Sequence, residues 1–108
     1  MNKQLINLLT VCRKAGKMTM GFDAVKDALL QNKAKAVFLA EDISPKTEKE
    51  VRFYAAKSGT DVESSGCTLE EIYIGIGKKA GVIAVCDEGF AKRAVQLANE
   101  NKSRNADE

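Results

Sequence analysis

Two neighbouring acids, Glu41 and Asp42, close an all-apolar run, Ala36-Val37-Phe38-Leu39-Ala40. Paired carboxylates at the end of a buried strand can ligate a cation or act as acid and base. That chemistry needs converging partners, and no motif supplies them. The chain has no histidine, and Cys12, Cys67 and Cys86 are far apart without metal-ligand spacing. Isolated strand-end acids more often cap loops or face solvent. An acid-site enzyme built on Glu41 and Asp42 therefore ranks last of three readings, and neither a metal nor a cofactor is expected.

The other residues with chemistry to offer are cationic. Lys14 and Lys17 precede the segment Gly21-Phe22-Asp23-Ala24-Val25-Lys26, which reads as a helix start. A helix N-terminus carries unpaired N–H groups and a positive dipole end, and glycine permits close approach of a ligand. The same glycine could equally serve only the turn. Gly75 to Gly81 has the composition of a phosphate loop but lacks glycine-lysine-serine spacing, and it precedes a strand. Lys78-Lys79-Ala80-Gly81 therefore fits contact with a nucleic-acid backbone better than a nucleotide cradle. Phe22 is the only aromatic residue in these segments, so a stacking platform for single strands has little support.

Charge is distributed unevenly. Residues 1–35 carry seven basic and two acidic side chains, residues 41–71 four and eight, and residues 72–104 six and three. Two basic segments that fold together would make one positive face suited to phosphates, although basic clusters can also be ordinary solvated surface.

These residues need a scaffold. Leu5, Leu8, Leu9 and Cys12 form the stripe of a first helix, ended near Gly16. A short extended piece around Met18-Thr19-Met20 leads to Gly21 and a second helix with Val25, Ala28 and Leu29 inward, ended by Asn32. The run Ala36 to Ala40 reads as a strand covered on both faces, because a half-exposed strand would alternate. Ser44-Pro45 starts a third helix with Val51, Tyr54, Ala55 and Ser58 inward and Gly59 at its end. Asp61-Val62-Glu63 is an edge-strand candidate. Thr68 and Glu71 match a capping box for a short fourth helix. Val82 to Cys86 is a second buried strand, and Gly89 opens a last helix with Phe90, Ala94, Leu97 and Ala98 on one side.

At 108 residues this is one domain, expected over 1–99, with a polar, frayed tail over 100–108. Helices alternating with strands predict an α/β fold, a three-layer α/β/α sandwich around a small mixed sheet of about four strands. No apolar stretch nears the roughly 20 residues that span a bilayer, and the amphipathic N-terminus is not a secretory signal. The three cysteines, odd in number and far apart, make reduced thiols in a cytoplasmic protein the expectation.

The runs RKAGKMTMGFDAVKDALLQNKAKAVFLAEDISP and GKKAGVIAVCDEGFAKR resemble the kink-turn-binding ribosomal protein superfamily, most of all its small bacterial YlxQ-type branch. The resemblance covers nearly the full chain. It implies a cytoplasmic location, association with structured RNA, ribosomal RNA and the ribosome or another ribonucleoprotein, and no enzymatic activity; a monomer when free and no membrane partner are expected besides. In that superfamily the second helix opens with glycine, a variable residue, asparagine, glutamate, two variable residues and lysine, and enters the groove beside sheared G·A pairs. Gly21 keeps the glycine and Phe22 fills the variable place. Asp23 replaces the asparagine, Ala24 the glutamate and Asp27 the lysine, with Lys26 one position early.

The second family contact covers an extruded base from the loop before the last buried strand, here Lys78, Lys79, Ala80 and Gly81, with Ser44 approaching the same nucleotide. Lys14, Lys17, Lys26, Lys78 and Lys79 would meet phosphates, and Asp23 a base edge. Glu41 and Asp42 become structural, Asp42 as a loop-ordering acceptor. The departures leave a second function open: a protein-interaction module of the same fold that has lost RNA recognition, with segment 41–71 as its contact surface.

Overall fold

The computed structural model describes residues 2–107, with side chains described through residue 100. Of the tail expected over 100–108, the backbone is described as helix, within α5, as far as Asp107, while the side chains beyond residue 100 and the last residue lie outside the described residues. The chain runs α1 (Lys3–Lys14), β1 (Met18–Met20), α2 (Phe22–Leu30), β2 (Ala36–Leu39), α3 (Pro45–Ser58), β3 (Val62–Ser64), α4 (Leu69–Ile76), β4 (Val82–Val85) and α5 (Glu88–Asp107). The four strands form one mixed sheet in the order β1-β4-β2-β3. Strand β4 runs antiparallel to both β1 and β2, and β3 is parallel to β2 at the edge.

Alternate residues of the central strands feed two cores. Phe38, Ile83 and Val85 face the layer of α1, α4 and α5, where Leu5, Leu9, Ile72 and Ala94 pack. Val37, Leu39, Val82 and Ala84 face α2 and α3, against Val25, Leu29, Val51 and Ala55. Every residue of β2 and β4 is buried, as their unbroken apolar runs require. Fully burying a side chain of this size stabilises by about 1.5–3 kcal/mol, so the central pair anchors both layers. The three-layer sandwich is the architecture expected from the sequence.

Helix ends follow local chemistry. Ser44 caps α3 by accepting from the Thr47 N–H at 3.2 Å, with Pro45 in the first turn. Thr68 and Glu71 form a reciprocal capping box on α4. Asn32 ends α2 with φ 57°, a left-handed conformation that asparagine tolerates. Asn2 has a role the apolar periodicity does not reveal. Its side chain accepts from the Leu5 N–H and donates to the Leu97 carbonyl, tying the start of α1 to α5.

The antiparallel setting of β4 positions the site. Met20 pairs with Ile83, and Leu39 with Val82, so β1 and β2 leave the sheet at the end where β4 enters. The Gly21 N–H donates to the Val82 carbonyl and the Ala40 N–H to the Gly81 carbonyl, both at 2.9 Å. Three connections that are remote in sequence are thereby held side by side.

Candidate nucleic-acid interface

At that end of the sheet lies an open cleft of about 400 Å³. Gly21 and Phe22 come from the start of α2, Asp42 and Ser44 from the β2–α3 connection, and Lys78, Lys79, Ala80 and Gly81 from the α4–β4 connection. Its floor is apolar, built from Met20, Ala40, Ile43, Leu69 and Val82, while the two lysines are exposed. The arrangement suits a planar apolar group below and an anion at the rim.

Gly21 turns the chain from β1 into α2 with φ 102° and ψ 152°. That region is essentially reserved for glycine, so this residue is required by the turn itself. The same geometry leaves the α2 N-terminus uncovered: a Cβ at Gly21 would meet no atom within 4 Å. Both readings of this glycine from sequence are therefore compatible with its setting.

Asp42 Oδ1 accepts from the Leu69 N–H at 2.9 Å. Leu69 is the first residue of α4, and its N–H has no partner within the helix. The acid is a loop-ordering acceptor, as the resemblance implied. Glu41 is exposed, and its backbone N–H donates to the Cys67 carbonyl at 2.8 Å. Among the described residues no group of three or more histidine, cysteine or acidic side chains could hold a metal. Glu71 is held below the usual carboxylate range by the hydrogen bond from the Thr68 backbone N–H.

Arg13 Nη1 donates to the Ile76 carbonyl at 2.8 Å, satisfying the C-terminus of α4 just before the lysine loop. The cysteines take no part. Cys12 and Cys67 are buried, and desolvation, with Asp87 adding repulsion, pushes the Cys12 thiol up to about 11. Burial likewise raises Cys67 and Cys86, at Cys86 against the opposing pull of Lys33 and Lys35.

The cleft gathers seven of the eleven residues singled out from sequence: Gly21, Phe22, Ser44, Lys78, Lys79, Ala80 and Gly81. The other four lie elsewhere. Asp23 is exposed on the first turn of α2 and does not line the cleft. Lys26 reaches over the Tyr54 ring of α3, 5.0 Å from its centroid. Lys14 and Lys17 stand where α1 passes into β1, and the Lys17 carbonyl accepts from the Cys86 N–H at the opposite end of the sheet. Four residues of strand rise separate Lys17 from Gly21 by about 13 Å. Met20, Ile43, Thr47 and Leu69 line the cleft without a motif of their own. Only the pairing of β4 between β1 and β2 brings them together.

A profile of the ribosomal protein L7Ae/L30e/S12e/Gadd45 family matches residues 3–95. The chain is 33% identical over 96 residues to the RNA-binding protein YlxQ of Enterococcus faecium, covering 88% of this chain and 91% of that one. It is 32% identical over 100 residues to the large ribosomal subunit protein eL30 of Eremothecium gossypii, covering 90% and 95%. Among solved structures, a protein of unknown function from Bacillus halodurans C superposes with a TM-score of 0.82 at 24% identity, covering 88% of this chain and 96% of that one. The Giardia lamblia 15.5kD RNA binding protein superposes with a TM-score of 0.72 at 12% identity, covering 92% and 85%. These two likenesses concern the fold.

Proposed function

The chain belongs to the ribosomal protein L7Ae/L30e/S12e/Gadd45 family, and on that premise we propose that it is a non-enzymatic, cytoplasmic, ribosome-associated protein that recognises a kink-turn-like or similarly bent RNA. The observation that carries this is the cleft of Gly21, Ser44 and Lys78–Gly81, with its apolar floor and cationic rim. An unstacked base inserted there would rest on Ile43, Leu69 and Ala80, while Lys78 and Lys79 take the adjoining phosphates. The α2 N-terminus beside it offers N–H donors to the groove of the flanking stem. Asp23 accepts hydrogen bonds and cannot donate them, so it suits guanine N–H groups and disfavours acceptor edges. Recognition then rests on the bulged nucleotide and backbone shape.

A gel-shift titration tests the proposal with a simple kink-turn RNA and a copy whose sheared G·A pairs are converted to Watson–Crick pairs. Strong preference for the intact kink-turn is expected. Equal, salt-sensitive binding to both would reduce the function to general RNA-backbone binding, and no binding at moderate salt would remove RNA as the partner.

A further inference from the structure

The solvent face of α3 carries Lys46, Lys49, Phe53 and Lys57 at spacings of three, four and four residues, all exposed. This stripe lies opposite the buried Val51 and Ala55 of the same helix. Phe53 is 55% exposed, and its ring is flanked by two neighbours. The Tyr54 ring meets it edge to face with centroids 5.3 Å apart, and Lys57 Nζ sits 4.5 Å over the ring. Lys26 stands over Tyr54 at 5.0 Å, extending the cationic and aromatic set onto α2. Of the acids on α3, Glu48 is engaged by Arg52 at 2.9 Å, and Glu50 borders the stripe. Segment 41–71 is acidic by count, yet the outward face of its helix is basic.

We propose that this face is a second RNA site, which takes a single-stranded segment flanking the structured element held in the cleft. A base stacks on Phe53, and Lys46, Lys49 and Lys57 contact successive phosphates. Stacking on an exposed ring is tolerant of sequence because every base has a π face. The cation over an exposed ring is weakly held, so the Lys57 head can yield the ring to a base and move to its phosphate. The face starts beside the cleft: Ser44 and Thr47, at the start of α3, line the cleft, and Phe53 lies six residues beyond Thr47, about 9 Å along the helix and about a third of a turn round it. The placement of the segment beside the cleft rests on the RNA-binding reading above; the stacking on Phe53 does not.

Binding of the full chain is measured against a blunt kink-turn RNA, the same RNA with an eight-uridine single-stranded tail, and the eight-uridine strand alone. The tail should raise affinity about tenfold, within the range of base–aromatic stacking. That gain should vanish in Phe53→Ala and in the triple change of Lys46, Lys49 and Lys57 to Gln, persist in Phe53→Trp, and leave blunt-RNA affinity unchanged. Equal affinity for blunt and tailed RNA overturns the second site while sparing the cleft. If the blunt RNA fails to bind, the cleft reading falls, and the uridine strand decides. Loss of its binding in Phe53→Ala supports the site, and absent or Phe53-independent binding overturns it.

Discussion

Asp42 at the end of β2 accepts the Leu69 N–H across 27 residues of chain, and so one side chain closes both the β2–α3 connection and the start of α4. The geometry completes a set. Thr68 accepts from the Glu71 N–H, Glu71 accepts from the Thr68 N–H, and Asp42 takes the donor between them. A carboxylate at that position also complements the positive end of the helix dipole. The pair of acids that looked chemically able from sequence is thereby divided: both are exposed, and Asp42 is engaged by the start of α4.

Asp42→Ala should cost about 1 kcal/mol, the worth of a helix-cap hydrogen bond, and Asp42→Asn much less because the amide oxygen still accepts. Urea denaturation gives both values. A metal or catalytic role predicts the reverse grouping, with Asn as damaging as Ala to function, so comparable binding by Asp42→Asn and wild type would sink that role.

Gly21→Ala should destabilise by about 1–3 kcal/mol, because the strain lies in the backbone and not in space around the Cβ. Gly21→Asn should fare no better, since asparagine favours φ near 57° with positive ψ near 47° and not ψ 152°. Thermal denaturation of the two variants settles this. Rescue by Asn would mean that the turn relaxes to an ordinary left-handed conformation.

Lys78→Gln and Lys79→Gln should each lower the slope of log affinity against log salt by about one, as expected for the loss of a phosphate contact. Lys14→Gln and Lys17→Gln should change it less, because neither residue lines the cleft. Filter binding at several salt concentrations distinguishes the sets. An equal effect from all four would mean that the RNA path wraps round to the far end of the sheet.

Much of the fold was legible because its signals are local. The stripe Leu5, Leu8, Leu9 and Cys12, the Ser44-Pro45 start and the Thr68–Glu71 box each act within one turn of helix. The site was only partly legible, because its assembly depends on strand order. Lys17 and Gly21 are four residues apart in sequence, yet β1 carries them to opposite ends of the sheet. Gly81 and Ala40 are far apart in sequence yet joined by a backbone hydrogen bond. Counting charge by segment misjudged α3 for a related reason: helical periodicity sorts Lys46, Lys49 and Lys57 onto one face and turns Glu48 to Arg52. The low aromatic count likewise gave no hint of Phe53, whose significance lies in its exposure.

Stability should fall as pH rises between about 9 and 11 through Cys12. Its thiol titrates near 9.0 when unfolded and near 11 when folded, so the contribution is complete below pH 9 and lost through the folded value. The readout is the stability gap between wild type and Cys12→Ala. That gap should narrow from pH 9 to pH 11, and a constant gap would remove the assignment.

Gly75 lies inside α4 where that helix crosses α1, and a Cβ there would come within 2.5 Å of Ile6 Cγ2. Ile6 is only 5% exposed, so it has no solvent into which to withdraw. Alanine is favoured over glycine in a helix interior by about 1 kcal/mol, whereas forcing a methyl into a packed crossing costs about 1–3 kcal/mol. In the wild-type background the clash should win, and Gly75→Ala should be destabilising. Ile6→Ala removes the obstructing Cγ2 and leaves Ile6 Cβ 3.7 Å away, an ordinary contact. In that background Gly75→Ala should turn stabilising, by up to about 1 kcal/mol. A double-mutant cycle by urea denaturation reads this change of sign directly. The same sign in both backgrounds would mean that α1 and α4 separate freely, and that Gly75 does not set their approach.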